Sequence, residues 1–267
     1  MSSARPLKQW HVEAMEVRIY PDRKALGEAA AEHVAAILKK AIETRGRCVA
    51  VFASGVSQVD FLAALRKQFG IDWGHVVAFH LDEYVGMTPD HPASIRRYLR
   101  EHLFEVVSPK EIHLLNGEAP DPQAECERYS WLLAKAGPPD IACIGIGENG
   151  HIAFNDPHVA DFNDPKMVKV VDPDEPCRRQ QLGEGWFATF DEVPKLALTQ
   201  TIPAILSARA ISCVVPERRK AEAVQRALEG PIAPICPASV LRRHENCVLY
   251  LDRESAALLD EASQAGY

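Results

Sequence analysis

Five short apolar runs punctuate the chain: Cys48-Val49-Ala50-Val51-Phe52, Val76-Val77-Ala78-Phe79, Ile141 to Ile146, Ala210 to Val215 and Cys247-Val248-Leu249-Tyr250-Leu251. They are too short for helices and too continuously apolar for half-exposed strands, so they read as strands buried on both faces. The segments between them keep helical spacing. Leu26, Ala30, Val34, Ile37, Leu38 and Ala41 mark one helix, which Arg45-Gly46-Arg47 ends; Phe61, Leu62 and Leu65 mark a second. Further helices are expected from about Pro92 to Phe104, Ala124 to Leu133, Leu196 to Leu206 and Arg218 to Leu228, with a terminal helix after Leu251. Strands alternating with helices in this way imply an α/β fold of three layers, α/β/α and Rossmann-like, with a mainly parallel sheet. At 267 residues one large domain over 1–267 is expected, since no linker demands two.

Composition narrows the class of function. Basic residues number 30 against 37 acidic ones, a net charge of −7, which argues against nucleic acid as the main partner. No stretch of about 18 apolar residues suggests a membrane span, and the first ten residues do not resemble a signal peptide, so a cytoplasmic protein is expected. Seven cysteines without a CxxC pair favour neither a disulfide framework nor a zinc site.

Chemistry gathers where strands end. The run Asp140 to Ile144 leads into Gly145-Ile146-Gly147-Glu148-Asn149-Gly150-His151-Ile152-Ala153-Phe154-Asn155-Asp156-Pro157. Carboxyl ends of parallel strands are where open α/β sheets bind ligands. Glycines there admit close backbone approach, and a histidine flanked by Asn149 and Asp156 can be tuned as a proton carrier; a glycine-rich turn with one structural histidine is the alternative. After the strand ending at Phe79 come Asp82-Glu83-Tyr84. Adjacent acids point to opposite sides of an extended chain, so one can face a ligand while the other braces the loop. A solvated acidic turn is the plainer reading of such a pair. Ser54-Gly55-Val56-Ser57 leads into a helix and can offer N–H groups and hydroxyls to a phosphate, or Ser57 can simply cap that helix. Arg178-Arg179 and Lys220 are the cations available to an anion. Residues 158–187, polar and without a clear period, read as a lid segment or as a surface excursion.

Taken together, Leu81-Asp82-Glu83-Tyr84-Val85-Gly86, Ile112-His113-Leu114-Leu115-Asn116-Gly117 and Gly150-His151-Ile152-Ala153-Phe154-Asn155, with His91-Pro92 and Val193-Pro194-Lys195, resemble the glucosamine-6-phosphate deaminase family. That family shares its fold with 6-phosphogluconolactonases. The resemblance, from about residue 15 to 255, implies an isomerising hydrolase of amino-sugar catabolism that needs neither metal nor cofactor. It implies that Asp82 moves the C2 proton of an open-chain aminosugar phosphate to C1, and that His151 assists ring opening, held by Asn149 and Asp156. Ser54, Gly55, Ser57, Arg179 and Lys220 are implied to bind the phosphate, with Glu83, Tyr84 and Gly150 elsewhere in the substrate site.

Several residues depart from that pattern. Asn149 stands where many relatives have aspartate, and Asp156, one methylene shorter, where glutamate is usual. An amide cannot stabilise an imidazolium as an anion does, so His151 should depend more on Asp156, which the shorter side chain could pull out of reach. The serine- and arginine-rich stretch of regulated hexameric members is replaced by His158-Val159-Ala160-Asp161-Phe162-Asn163-Asp164, so no activation by N-acetylglucosamine 6-phosphate is expected. A lactonase, a galactosamine-6-phosphate deaminase and a non-catalytic phosphosugar sensor remain as alternatives. Neither a monomer nor a homo-oligomer is selected, because no helix has an apolar excess that specifies an interface.

Overall fold

The computed structural model describes residues 5–260. In chain order its elements are β1 (Lys8–Val12), β2 (Met15–Tyr20), α1 (Arg23–Arg45), β3 (Cys48–Phe52), α2 (Val59–Leu65), β4 (Val76–His80), β5 (Asp82–Tyr84) and α3 (Ile95–Leu99), which runs on through a π-helical turn into α4 (Glu105–Val107). There follow β6 (Glu111–His113), α5 (Pro122–Ala136), β7 (Ile141–Ile144), β8 (Val168–Val171), α6 (Glu175–Gly183), β9 (Ala197–Gln200), α7 (Ile202–Leu206), β10 (Ile211–Val215), α8 (Ala221–Glu229) and β11 (Cys247–Asp252).

Eight strands form the main sheet in the order β1-β2-β11-β10-β7-β3-β4-β6. All pairs are parallel except the β1–β2 hairpin. Strand β3 shows why the runs are continuously apolar: Val49 and Val51 enter the core on one face, Cys48, Ala50 and Phe52 the core on the other. Helices α1 and α2 pack together on the second face, while α5 and α8 line the first. All seven cysteines are free and buried, behaving as small apolar side chains.

From β3 the chain builds outward through β4 and β6, then returns to lay β7 against the other side of β3 before continuing to β10 and β11. The loops after β3 and β7 therefore leave adjacent strands in opposite directions and open a crevice between them. A small antiparallel sheet, β5-β9-β8, roofs this end. No helix among the described residues is long and apolar enough to cross a membrane.

Three expectations are corrected. Leu196 to Leu206 is not one helix: Ala197–Gln200 pairs with both β5 and β8, and the helix begins only after Thr201, whose hydroxyl caps it. Sheet partners here outweigh the local helical pattern. The segment 158–187 is not an unstructured excursion but carries β8 and α6. After β11, residues 253–258 form turns rather than a helix, and residues 261–267 lie outside the described part.

Candidate active site

The crevice is lined by groups from the loop after β3 (Ser54, Gly55, Ser57), strand β5 (Asp82, Tyr84), the start of α3 (Ser94, Tyr98), the loop after β7 (Gly145, Gly147, His151) and the segment around α6 (Gln180, Gln181, Glu184, Trp186), together with Lys220.

Strand β5 separates its two acids as alternation requires. Asp82 faces the cavity and is 8% exposed. Burial, with the Glu83 carboxylate next door, pushes its pKa up to about 8, the behaviour of a desolvated carboxyl. Glu83 turns away and does not line the cavity. Its Oε1 accepts from the backbone N–H of Tyr84 at 2.9 Å and Ile95 at 3.3 Å; its Oε2 accepts from Ser94 Oγ and Arg96 N, both at 3.0 Å. Glu83 thus ties β5 to the start of α3 and fixes the strand that presents Asp82. The Ile112 to Gly117 motif supports the same strand: Gly117 O accepts from Gly86 N at 2.6 Å, and Asn116 Oδ1 from Arg96 Nη1 at 3.2 Å.

The loop after β7 turns at Gly147, where a Cβ would lie 2.1–2.3 Å from the His151 ring, so only glycine lets the imidazole fold back over the strand end. Gly150 does not line the cavity; its φ of +92° makes the turn, and a Cβ there would meet Cys236 Sγ at 2.8 Å. His151 Nδ1 lies 3.0 Å from Asp156 Oδ1, so the shorter acid is still within reach. The contact is off the line a ring N–H prefers, so the carboxylate faces Nδ1 without a well-directed hydrogen bond.

Asn149 orients rather than stabilises. Its Oδ1 accepts the His151 backbone N–H at 2.9 Å, and its Nδ2 donates to Asp156 Oδ1 at 2.8 Å and to both oxygens of Asp174 at 3.0–3.1 Å. The Asp174 N–H donates to Asp156 Oδ2 at 2.9 Å. Burial would raise the Asp156 pKa, but His151, Asn149 and Asp174 overcome it and hold the carboxyl below its ordinary value. Asp174 also caps α6, accepting from Cys177 N at 2.7 Å, and so joins that helix to the histidine's partner. Among the described residues, His151, Asp156 and Cys177 place their donor atoms within 4.8 Å of one another, close enough to share a metal ion. Burial first, and then Asp156, hold the Cys177 thiol well above its ordinary pKa, so it is a protonated donor rather than a ready thiolate ligand.

At the other end, Ser54, Gly55, Ser57 and Lys220 meet as expected. Ser57 does not cap α2, which starts after Gln58 without a side-chain cap; Ser57 Oγ accepts from Gln58 Nε2 at 3.0 Å instead. Lys220 is 3% exposed, and burial lowers its pKa while Glu184 and Glu148 pull it back up. Arg179 is not brought to this end. It lies exposed along α6, paired with Glu175 at 2.6 Å and set over the Phe190 ring. Tyr84 does line the cavity, its hydroxyl donating to Gln181 Oε1 at 3.0 Å.

Sequence reasoning missed Gly147, Asp174, Gln180, Gln181, Glu184 and Trp186. The one signal that pointed to the last five was Asp174-Glu175-Pro176, an N-cap followed by proline in the first helical turn, which marks a helix start inside the supposed loop.

The decisive comparison is with a protein family described as glucosamine-6-phosphate isomerases/6-phosphogluconolactonase, which the chain matches over residues 21–250. The chain belongs to this family. It is 39% identical over 215 residues to a glucosamine-6-phosphate deaminase of Exiguobacterium sibiricum, covering 80% of this chain and 82% of the relative. It is 35% identical to the same enzyme of an Arthrobacter species, covering 92% and 93%. A solved monomeric glucosamine-6-phosphate deaminase superposes with a TM-score of 0.85 at 33% identity, covering 91% of this chain and 99% of the other. A 6-phosphogluconolactonase from Shewanella baltica, at 21% identity and a TM-score of 0.75, shares the fold.

Proposed function

We propose that the protein is an isomerising deaminase that converts glucosamine 6-phosphate and water to fructose 6-phosphate and ammonia in amino-sugar catabolism. The observation that carries this reading is Asp82, a buried carboxyl with a pKa near 8 facing the same cavity as a carboxylate-held histidine. A base of that strength suits removal of a proton next to a carbonyl near neutral pH. The curated relatives of up to 39% identity support the same substrate.

In this scheme His151 moves a proton between O1 and the ring oxygen, which opens the pyranose. Asp82 takes the proton from C2 and returns one to C1, turning the aldose into a ketose-level imine at C2. Water adds to that carbon, the C–N bond breaks and ammonia leaves. Each step is a proton transfer or an addition of water, which side chains supply. Glu83 fixes the base from behind, while Asp156, Asn149 and Asp174 fix the histidine. Ser54, Gly55, Ser57 and Lys220 hold the phosphate, whose binding energy is remote from the reacting carbons. Residues 158–187 act as the lid of a single catalytic unit, and N-acetylglucosamine 6-phosphate does not activate it.

The test is to incubate purified protein with glucosamine 6-phosphate and, separately, galactosamine 6-phosphate, following ammonia and ketose phosphate together. Equimolar release of both products from the glucosamine sugar is expected. Phosphate binding without ammonia from either sugar would replace this reading with a sensor or a lactonase.

A further inference from the structure

The anion end of the cavity already contains an anion. Glu184, the residue after α6, has a side chain only 5% exposed and lines the cavity beside Ser54, Gly55 and Lys220. Its Oε1 accepts from Gln180 Nε2 at 2.8 Å and lies 3.4 Å from Arg219 Nη2; its Oε2 accepts from Trp186 Nε1 at 3.0 Å. Oε2 is also 3.9 Å from the point where a Cβ on Gly55 would sit, so the carboxylate stands close over that glycine's backbone. Among the acidic groups acting on buried Lys220, Glu184 has the strongest influence. Arg219 is further engaged by Glu217 at 2.7 Å and Glu148 at 3.5 Å. Arg219 is therefore paired from within, Lys220 feels the Glu184 charge, and the arginine expected to add positive charge, Arg179, points elsewhere.

A phosphate dianion entering beside Gly55 meets a carboxylate that is shielded from water, where like charges repel most strongly. A neutral hydroxyl at the same place meets a hydrogen-bond acceptor instead. We propose that Glu184 is the specificity-determining residue of this end: it competes with the sugar phosphate for Lys220 and the Ser54–Ser57 loop, and so narrows the preference for phosphorylated over unphosphorylated aminosugar. This deepens, and for its kinetic arm rests on, the aminosugar reaction proposed above. Because Glu184 closes α6, entry of a phosphate requires that the carboxylate swing away or that the end of the helix give.

The experiment measures binding of inorganic phosphate by calorimetry to wild type and to Glu184→Gln, which keeps size and removes charge, with Glu184→Ala as a second charge-free variant. Phosphate should bind at least tenfold more tightly to both. Trp186→Phe, which loses the hydrogen bond but keeps the carboxylate, should show no such gain. With sugars, the ratio of kcat/KM for glucosamine 6-phosphate to that for glucosamine should rise at least tenfold in Glu184→Gln. Unchanged or weaker phosphate binding in both charge-free variants, or an equal gain in Trp186→Phe, would overturn the proposal and make Glu184 a structural anchor. Tighter phosphate binding with no ammonia from any sugar would sink the aminosugar reaction and leave the competition standing.

Discussion

At one end of the cavity, Asp82 and His151 leave a strand and a strand end, and each is held from behind by a second set of groups: Glu83 tied to the start of α3 for the one, Asp156 with Asn149 and Asp174 for the other. At the other end, the Ser54–Ser57 loop and Lys220 share the cavity with a carboxylate that belongs to neither of them and arrives from the segment after α6. The first end keeps its charges apart and directed at one space. The second sets Lys220 and a carboxylate in one cavity, so on the proposal above its affinity is a difference between a ligand's charge and Glu184. Chemistry and recognition are thus separable here, and a substitution at one end should move kcat while one at the other moves KM.

The strongest way to break this division is Asp82→Asn. Loss of the base is expected to lower kcat about 10³-fold with KM changed little; a large rise in KM with kcat preserved would put Asp82 in recognition instead. The same variant tests the burial of the carboxyl. Asp82 holds its proton more tightly folded, near 8, than at its ordinary value of 3.8, so its contribution to stability is complete below that value and is lost as pH rises through 8. Asparagine cannot ionise, so the melting temperature of Asp82→Asn relative to wild type should climb between pH 5 and pH 9. A constant difference would mean a solvated carboxyl.

Gly147→Ala comes next. Its methyl would occupy the space of the His151 ring, and moving the ring should cost about 100-fold in kcat together with about 1–3 kcal/mol of stability. Wild-type kcat would show that the ring need not lie over the strand end. At the other end, Lys220→Met removes the buried ammonium proposed to hold the phosphate, expected to raise KM for the phosphorylated sugar about 10- to 100-fold with kcat nearly kept. A fall in kcat with KM unchanged would erase the boundary between the two ends. The smallest effect should be that of Arg179→Ala, within about twofold in kcat and KM, as befits an exposed i,i+4 ion pair. A tenfold rise in KM would return this arginine to the phosphate.

The same division governs how much was legible in the chain. The parallel sheet, its central strands and the loops that follow β3, β4 and β7 could be read, because a strand buried on both faces needs a continuous apolar run and its end then falls at a known place. Alternation alone showed that Asp82 and Glu83 point to opposite sides, but not which of them faces the cavity. The anion end was misread where it depends on α6. Only Cys177 and Gln180 of that helix are buried, so no apolar period announces it, and nothing local distinguishes an arginine facing solvent from a glutamate facing the cavity five residues later. The roof strands were hidden for a related reason. Strands β5, β8 and β9 have three or four residues each, and Ala197–Gln200 becomes a strand only because β5 and β8 flank it.

The most direct test of the account is to give glucosamine 6-phosphate deuterated at C2 to wild type and to Asp82→Asn, and to follow fructose 6-phosphate and its C1 label by NMR. The account predicts ketose phosphate with part of the deuterium carried to C1 by the wild type, because one shielded carboxyl serves both carbons, and about a thousandfold less product from the variant. Ketose phosphate formed by Asp82→Asn at close to the wild-type rate would contradict it.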